Sequence, residues 1–107
     1  MTLRPADLGE AKRLADEGHF AEAARLCEVR LQRTGPSADA FHLLGLIRNA
    51  GGQHVAAVDC YRKALYLDPN HTEALIHLAL LMEERGEQTQ ARVLRDRMSR
   101  LEQRKRT

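Results

Sequence analysis

The sequence predicts an all-α fold, a right-handed solenoid of three helix–turn–helix hairpins with six helices, and three observations support it. Glycines recur 34 residues apart, at Gly18, Gly52 and Gly86. Small residues keep the same period in three further registers, which are Ala23, Ala57, Ala91; Ala6, Ala40, Ala74; and Ala11, Gly45, Ala79. Apolar residues recur at helical spacing throughout, and alternating β-rich runs are absent. A fixed period of this length is typical of stacked helical hairpins.

The first two hairpins are predicted from their periodicity and their prolines. Four helices are expected in them, over Pro5–Glu17, Phe20–Arg33, Ser37–Ala50 and His54–Leu67. Pro5 and Pro36 fit first-turn positions, where a missing N–H costs nothing. Pro69 ends the fourth helix, because proline removes a donor and restricts the residue before it. Gly18 and Gly52 fall between paired helices, where a left-handed turn favours glycine.

The third hairpin is predicted over His71–Arg85 and Glu87–Arg104, with Gly86 at its turn. Asn70 and Glu73 have the spacing of a capping box, in which each side chain satisfies a free N–H at the helix start. The second helix of this hairpin is strongly basic. We therefore expect six helices, ending in a charged one.

Length and composition indicate how many domains the chain has and exclude several classes of protein. With 107 residues the chain has the length of one domain, expected over 1–107 with repeats at about 4–37, 38–71 and 72–105. Aromatic residues make up 4% and Trp is absent, so the core must consist mainly of Leu, Ala and Val, which suits close-packed helices. The net charge of +2 does not demand nucleic acid or a membrane surface. Such arrays bind proteins along a concave face and rarely catalyse reactions, so we expect neither catalysis nor a cofactor.

The pattern resembles the tetratricopeptide repeat (TPR) family, whose units are 34-residue helix–turn–helix hairpins. The middle unit matches the family signature best, at Phe41 (in place of the usual Trp), Leu44, Gly45, Gly52, Ala57, Tyr61, Ala64, Leu65 and Pro69. The third unit keeps Leu75, Leu78, Ala79, Gly86, Ala91 and Met98, with Arg95 in place of the late aromatic residue. The first keeps Ala11, Leu14, Gly18, Phe20, Ala23 and Leu31, and departs at Asp7 and Glu10.

A narrower resemblance concerns the sequence segments between these signature positions. The stretch CYRKALYLDPNHTEALIHLALLMEERG and the ending A-x-x-LRDRMSRL are similar to the repeat module at the C-terminus of CheR-type chemoreceptor methyltransferases of Wsp and Frz-like signalling systems. The segments LADEGHFAEAARLCE and GPSADAFHLLGLI fit the same module. The resemblance implies a chain that helps such an enzyme recognise a receptor or governs its activity. Neither a glycine-rich nucleotide turn nor any other catalytic motif is present in these residues.

The TPR resemblance also implies which side chains line a concave groove, because the first helix of each hairpin faces it. The residues placed there are Lys12, Ala15, Asp39, His42, Leu46, Asn49, Glu73, Ile76, Leu80 and Glu83, with His77 beside them. The centre is then apolar and the rim polar and acidic, which suits an amphipathic helix or a short peptide. Leu8, Leu43 and His77 occupy most of the positions with which chaperone-binding relatives capture C-terminal carboxylates, so that ligand is disfavoured. The alternative is that the apolar members contact only their neighbours.

The histidines are interpreted as polar groups of the groove or as solvated side chains, and the cysteines as packing residues. His42 and His77 project from adjacent first helices and are expected to approach each other, but a third and fourth ligand for zinc are lacking, so no metal is predicted. His71 lies in a first turn and is expected to be solvated. Cys27 and Cys60 show no metal or redox spacing and are expected to be small buried hydrophobes.

Positive charge is concentrated at the last helix, since eight of the 17 Lys and Arg residues follow Glu84. One interpretation is a solvated terminal face that keeps the open end of the array soluble. The second is contact with an acidic partner, such as a receptor or a methyltransferase domain. Nucleic acid is disfavoured, because no aromatic residue interleaves the arginines. Leu94, Met98 and Leu101 are expected to leave an uncapped edge through which a homodimer could form.

These observations favour a non-catalytic protein-interaction module of a CheR-type methyltransferase, with a receptor or enzyme segment as partner. The alternatives are a free-standing adaptor or secretion-type chaperone that binds an amphipathic helix, and a nucleic-acid-associated protein. No secretory signal opens the sequence, and no apolar run has the length of a membrane span. Membrane insertion is therefore not expected, and a reducing cytoplasm is the simplest setting.

Overall fold

The computed structural model describes Leu8–Arg106, which form six α-helices and no strand. The helices are α1 (Leu8–Asp16), α2 (Phe20–Thr34), α3 (Ala38–Ala50), α4 (His54–Leu67), α5 (Thr72–Glu84) and α6 (Gln88–Arg106). The all-α solenoid is confirmed, and the helix ends within these residues lie within two residues of the predicted ones. The expected start at Pro5 lies outside the described residues.

The turns inside the three hairpins share one backbone motif. Gly18, Gly52 and Gly86 have φ values of 86°, 83° and 79°. Residues with a side chain rarely adopt this left-handed backbone conformation, so a substitution at any of the three would strain the turn. The N–H of the following residue returns to a carbonyl five positions back in each turn, as in His19 to Leu14 at 2.8 Å. This is the Schellman arrangement, and it satisfies carbonyls at the helix end. The glycine period thus marks the hairpin turns, as predicted.

The start of α3 differs from the prediction for Pro36. Ser37 is the N-cap residue, with an extended backbone, and its Oγ accepts a hydrogen bond from the N–H of Ala40 at 3.2 Å. Pro36 therefore precedes the cap and is not in the first turn. The hydroxyl of Ser37 satisfies a backbone N–H that has no partner within the first turn, so the helix begins directly after Ser37.

The start of α5 also differs, and the capping box predicted for Asn70 and Glu73 is wrong. His71 is the N-cap residue, and its Nδ1 accepts a hydrogen bond from the N–H of Ala74 at 3.1 Å. An imidazole nitrogen without a proton is an acceptor and can replace the amide oxygen of asparagine here. The side chain of His71 is consequently held against the protein.

Two layers of helices produce the curvature. The first helices of the hairpins approach one another, α1 with α3 and α3 with α5, whereas no Cα atoms of α2 and α4, or of α4 and α6, come within 8 Å. An array whose members lie closer on one side is concave there. The first helices α1, α3 and α5 therefore line the concave face, and the second helices lie on the convex face.

The core consists of two apolar clusters. The N-terminal cluster contains Ala11, Ala23, Ala24, Cys27, Leu44, Ile47 and Cys60. The C-terminal cluster contains Ala57, Tyr61, Ala64, Leu65, Ala74, Leu75, Leu78, Ala79, Leu81, Met82, Ala91 and Leu94. The small residues of the repeat are among the most buried, which allows the helix backbones to approach closely.

The C-terminal edge is more covered than the sequence suggested. Leu94 is buried, and the partly buried Met98 and Leu101 pack against the C-terminal cluster. The homodimer through this edge stays a prediction, and sedimentation at high concentration would test it. Within Leu8–Arg106, no helix combines the length and the apolar character needed to cross a membrane.

Candidate functional site

A cavity of about 320 Å³ opens on the concave face between α1 and α3. Its lining residues are Lys12, Ala15, Asp16, His42, Leu43, Leu46, Ile47, Ala50 and Glu73. The structure therefore brings together five of the predicted groove residues, namely Lys12, Ala15, His42, Leu46 and Glu73. Their helices position them because residues three and four apart lie on one face of a helix.

Two further predicted residues extend the apolar part of the groove along α5. Ile76 and Leu80 are 37% and 47% exposed, although most leucines and isoleucines of the chain are covered. They follow Glu73 at helical spacing and so continue its face. Neither lines the cavity, and both lie further along α5 than Glu73, which does.

The remaining predicted residues are engaged in contacts at the ends of the helices. Asp39 accepts from the Nε2 of His71 at 2.9 Å, and Glu83 pairs with Arg95 of α6. Asn49 bonds through its Oδ1 to the Nδ1 of His54 at 2.6 Å, at the turn of the second hairpin. Asn49 thus holds its own hairpin, whereas Asp39 and Glu83 keep acidic groups on the rim.

Three histidines meet next to the cavity. The Nε2 of His42 lies 2.9 Å from the Nδ1 of His77, which confirms their predicted approach, and the two rings are 5.0 Å apart. The ring of His71 is also 5.0 Å from that of His42. The expectation that His71 is solvated is wrong, because its side chain is only 9% exposed. Its role as N-cap residue draws the ring inward.

The hydrogen bonds of His71 define its tautomer. Its Nδ1 accepts from the N–H of Ala74 and therefore carries no proton, so its Nε2 donates to the carboxylate of Asp39. One imidazole in this way joins the start of α5 to the start of α3. The contact fixes the relative position of two first helices at the rim of the groove.

His42 is the most buried polar residue of the groove, with 7% exposure. Burial, and then repulsion from His77 and His71, lowers the pKa of His42 from 6.5 to about 4, although Glu73 and Asp39 oppose the shift. His42 is therefore neutral at pH 7 and acts as a hydrogen-bonding group. Among the described residues, no group of three or more His, Cys, Asp and Glu could hold a metal ion.

The two cysteines are buried, as predicted. Burial raises the pKa of the Cys27 thiol to about 11, and burial also raises the pKa of Cys60. Because the thiolate is the reactive form, neither group has the environment of a nucleophile. Both belong to the packing beneath the groove.

Charge on the concave face is mainly acidic. Asp16 and Glu73 line the cavity, against the single lining cation Lys12. Asp39 near the start of α3 and Glu83 near the end of α5 add two carboxylates, which pair with His71 and Arg95. The cavity also contains Asp16, Ile47 and Ala50, which were not predicted to line the groove, and Leu43, which had been assigned only a negative role. The four-residue spacing of Lys12 and Asp16, and of Leu46 and Ala50, could have indicated two of them.

Known proteins share the sequence pattern of this chain. Two sequence models described as "Tetratricopeptide repeat" match residues 38–71 and 60–93, together more than half of the chain. The "Probable biofilm formation methyltransferase WspC" of Pseudomonas aeruginosa is 49% identical over 94 residues, 88% of this chain and 22% of the relative. The protein of the same name from Pseudomonas putida is 42% identical over 88 residues, 82% of this chain and 21% of that protein. The chain therefore spans about a fifth of the length of these relatives.

Solved structures agree on the fold. A MamA double mutant (MamA RS-1 ArsTM) has a TM-score of 0.82 and 22% identity, over 96% of this chain and 60% of that one. The Yersinia enterocolitica type III secretion chaperone SycD, solved with a peptide of the translocator YopD, has a TM-score of 0.80 and 20% identity, over 88% of this chain and 72% of that one. At these identities the similarity concerns the fold alone.

Proposed function

The chain belongs to the tetratricopeptide repeat family, a non-catalytic interaction fold, and from that premise we propose that it binds an amphipathic helix or peptide segment in its concave groove. We infer further that residues 1–107 act as one repeat domain. The single observation that carries the proposal is the cavity of about 320 Å³ together with the exposed Ile76 and Leu80, which follow its lining residue Glu73 along α5. Exposed apolar side chains next to a cavity are what an apolar ligand face requires.

The chemistry of the groove supports an amphipathic ligand with basic flanks. Leu46 lies in the cavity, and Ile76 and Leu80 continue the apolar surface, so a bound helix would present apolar side chains at positions i, i+3 and i+7. The acidic rim, with Asp16 and Glu73, favours basic residues flanking that apolar face. A free C-terminal carboxylate is disfavoured there by the same charge.

The two WspC relatives suggest the context of this binding. We propose that the chain is the repeat module of a CheR-type methyltransferase, and that the ligand is a segment of a chemoreceptor or of the methyltransferase domain. Binding would regulate methylation of receptor glutamates in the cytoplasm, and S-adenosylmethionine would be bound outside these residues. The high identity over most of the chain supports this assignment. A free-standing adaptor or secretion-type chaperone would bind another helix in the same groove.

The test is a calorimetric titration of the chain with the cytoplasmic signalling half of a candidate receptor. The double variant Leu46→Ala with Leu80→Ala should weaken binding at least tenfold, because each buried Leu contributes about 1.5–3 kcal/mol. Leu67→Ala is the matched control, since Leu67 is 43% exposed but lies on α4 of the convex layer.

Circular dichroism should show unchanged helical content in all variants. Unchanged affinity in the folded double variant would place the binding site elsewhere. Absence of binding to the receptor, combined with binding to the isolated methyltransferase domain, would identify the second partner of the proposal. Binding to neither would contradict the methyltransferase assignment.

A further inference from the structure

The convex face carries a second groove, between α4 and α6. These helices do not approach each other, and the space between them forms a cavity of about 390 Å³. Its floor consists of the buried Leu65, Leu78 and Leu94, and Val93 lies at its edge with 55% exposure. The cavity has the volume and the apolar lining of a ligand site.

The groove is elongated. A cavity of about 130 Å³ shares Arg62 and Gln90 with the central one, and a cavity of about 250 Å³ shares Arg97 with it on the other side. From Gln90 to Arg104 the groove follows α6 for about 21 Å, at 1.5 Å per residue. A row of three cavities of this length fits a polypeptide segment better than a compact small molecule.

Positive charge accompanies this apolar floor. The lining cations are Arg62, Arg85, Arg97, Arg100 and Arg104, against one carboxylate, Glu87. Arg62 donates to the amide oxygen of Gln90 at 2.8 Å, and Arg97 donates to the carbonyl of Pro69 at 2.7 Å. Among residues 8–106, no carboxylate forms an ion pair with Arg62, Arg97 or Arg100. Their charge is therefore available to a partner.

We propose that this convex groove, lined by α4 and α6, binds an acidic polypeptide segment with apolar side chains. An apolar side chain enters the central cavity beside Val93, and carboxylates pair with Arg62 and Arg100. Guanidinium groups suit this task because they bind carboxylates through two parallel hydrogen bonds. This partner surface is distinct from the acidic concave groove and has the opposite charge preference.

Nucleic acid fits the same groove poorly. No aromatic side chain lines any of the three cavities, so stacking of bases has no platform there. The leucine floor adds nothing to the binding of a phosphate backbone. The combination of an apolar floor and arginines favours an acidic, partly apolar polypeptide.

The experiment uses the full chain and two fluorescein-labelled synthetic peptides matched to the groove length of about 21 Å, an extended one of about six residues and a helical one of about 14. One peptide alternates Glu and Leu, and the other places Leu at helical spacing among Glu. At least one should bind, and amide chemical shifts should change along α4 and α6. Val93→Ser and Arg100→Glu should each weaken binding about tenfold, because they remove the apolar contact or reverse the charge.

The matched control is Arg92→Glu, which makes the same charge change at an exposed position of α6 outside the three cavities. It should leave affinity within about twofold, as should Leu80→Ala of the concave face. Failure of both peptides to bind would overturn the proposal. The proposal would also be overturned if peptides with Ser in place of Leu bound as tightly as the Leu peptides, or if Arg92→Glu weakened binding as much as Arg100→Glu. Tighter binding of a single-stranded oligonucleotide than of either peptide would overturn it as well.

Discussion

The two junctions between neighbouring hairpins differ in how their side chains fill them. The first junction joins hairpins one and two over the N-terminal cluster, whose buried members are mostly Ala and Cys with Leu44 and Ile47. The second joins hairpins two and three over the C-terminal cluster, which contains five Leu or Met residues of α5 and α6 besides the ring of Tyr61. The first junction leaves a cavity on the concave face, whereas rings of His42 and His77 occupy the second.

This difference shows that the repeat period and the filling of a junction are separate properties. His42 and His77 stand one repeat after Leu8 and Leu43, so equivalent positions hold a polar pair at the second junction and apolar residues at the first. The small repeated residues let the backbones approach in both cases. Side chains that do not repeat then decide which junction stays open to a ligand on the concave face.

The largest expected effect concerns the two clusters. Leu75→Ala in the C-terminal cluster should lower the free energy of unfolding by about 2–5 kcal/mol, because Leu75 is fully buried and truncation leaves a cavity. Cys27→Ala in the N-terminal cluster should cost about 1 kcal/mol, since it removes one atom. Urea denaturation measures both, and equal losses would contradict the difference between the junctions.

Acid should weaken the second junction. Unfolded His42 gains a proton below about pH 6.5, whereas folded His42 does so only near its lowered pKa of about 4. The free energy of unfolding therefore falls as the pH falls through this window, by at most about 3 kcal/mol. Denaturation from about pH 7 to about pH 4 measures it. His42→Asn should show a shallower pH dependence, and an identical slope would rule out His42 as the source.

A methyl group added to the second hairpin should strain its packing. The Cβ of Gly45→Ala would lie 2.5 Å from the Cε1 of Tyr61, so the ring must move. We expect a loss of about 1–3 kcal/mol, which is typical of overpacking. Tyr61→Leu should remove most of this extra loss in the double variant. A thermal-denaturation cycle of the four proteins measures the coupling, and additive losses would contradict the contact.

The smallest effect concerns the thiols of the first junction. Because burial raises the pKa of Cys27 to about 11, we expect its reaction with a disulfide reagent to be slow in the native chain and fast in urea. Cys60, also buried, should behave alike. Absorbance of the released thiol follows both reactions. Rapid labelling of the folded chain would show that the N-terminal cluster opens easily.

Much of the fold was predictable because its determinants are local. Gly52 marks a hairpin turn by the φ it adopts, and Ala57 marks a helix crossing by its size, so both are visible in the 34-residue period. The start of α5 was mispredicted, since His71 and Asn70 are both competent caps and only the position of Asp39 on α3 favours His71. A choice between neighbouring caps depends on tertiary contacts.

The sequence by itself determined the three hairpins, their turns and the class of protein to which they belong, because a periodic pattern of glycine, alanine and leucine dictates stacked helices. The resemblance to the tetratricopeptide repeat family added the prediction that Leu46, Ile76 and Leu80 line the concave face. Only the tertiary structure decided that, on the concave face, the first junction is open while histidine rings occupy the second. Only the structure brought Arg62 of α4 and Arg100 of α6 to one groove, because cavities arise where helices distant in sequence separate.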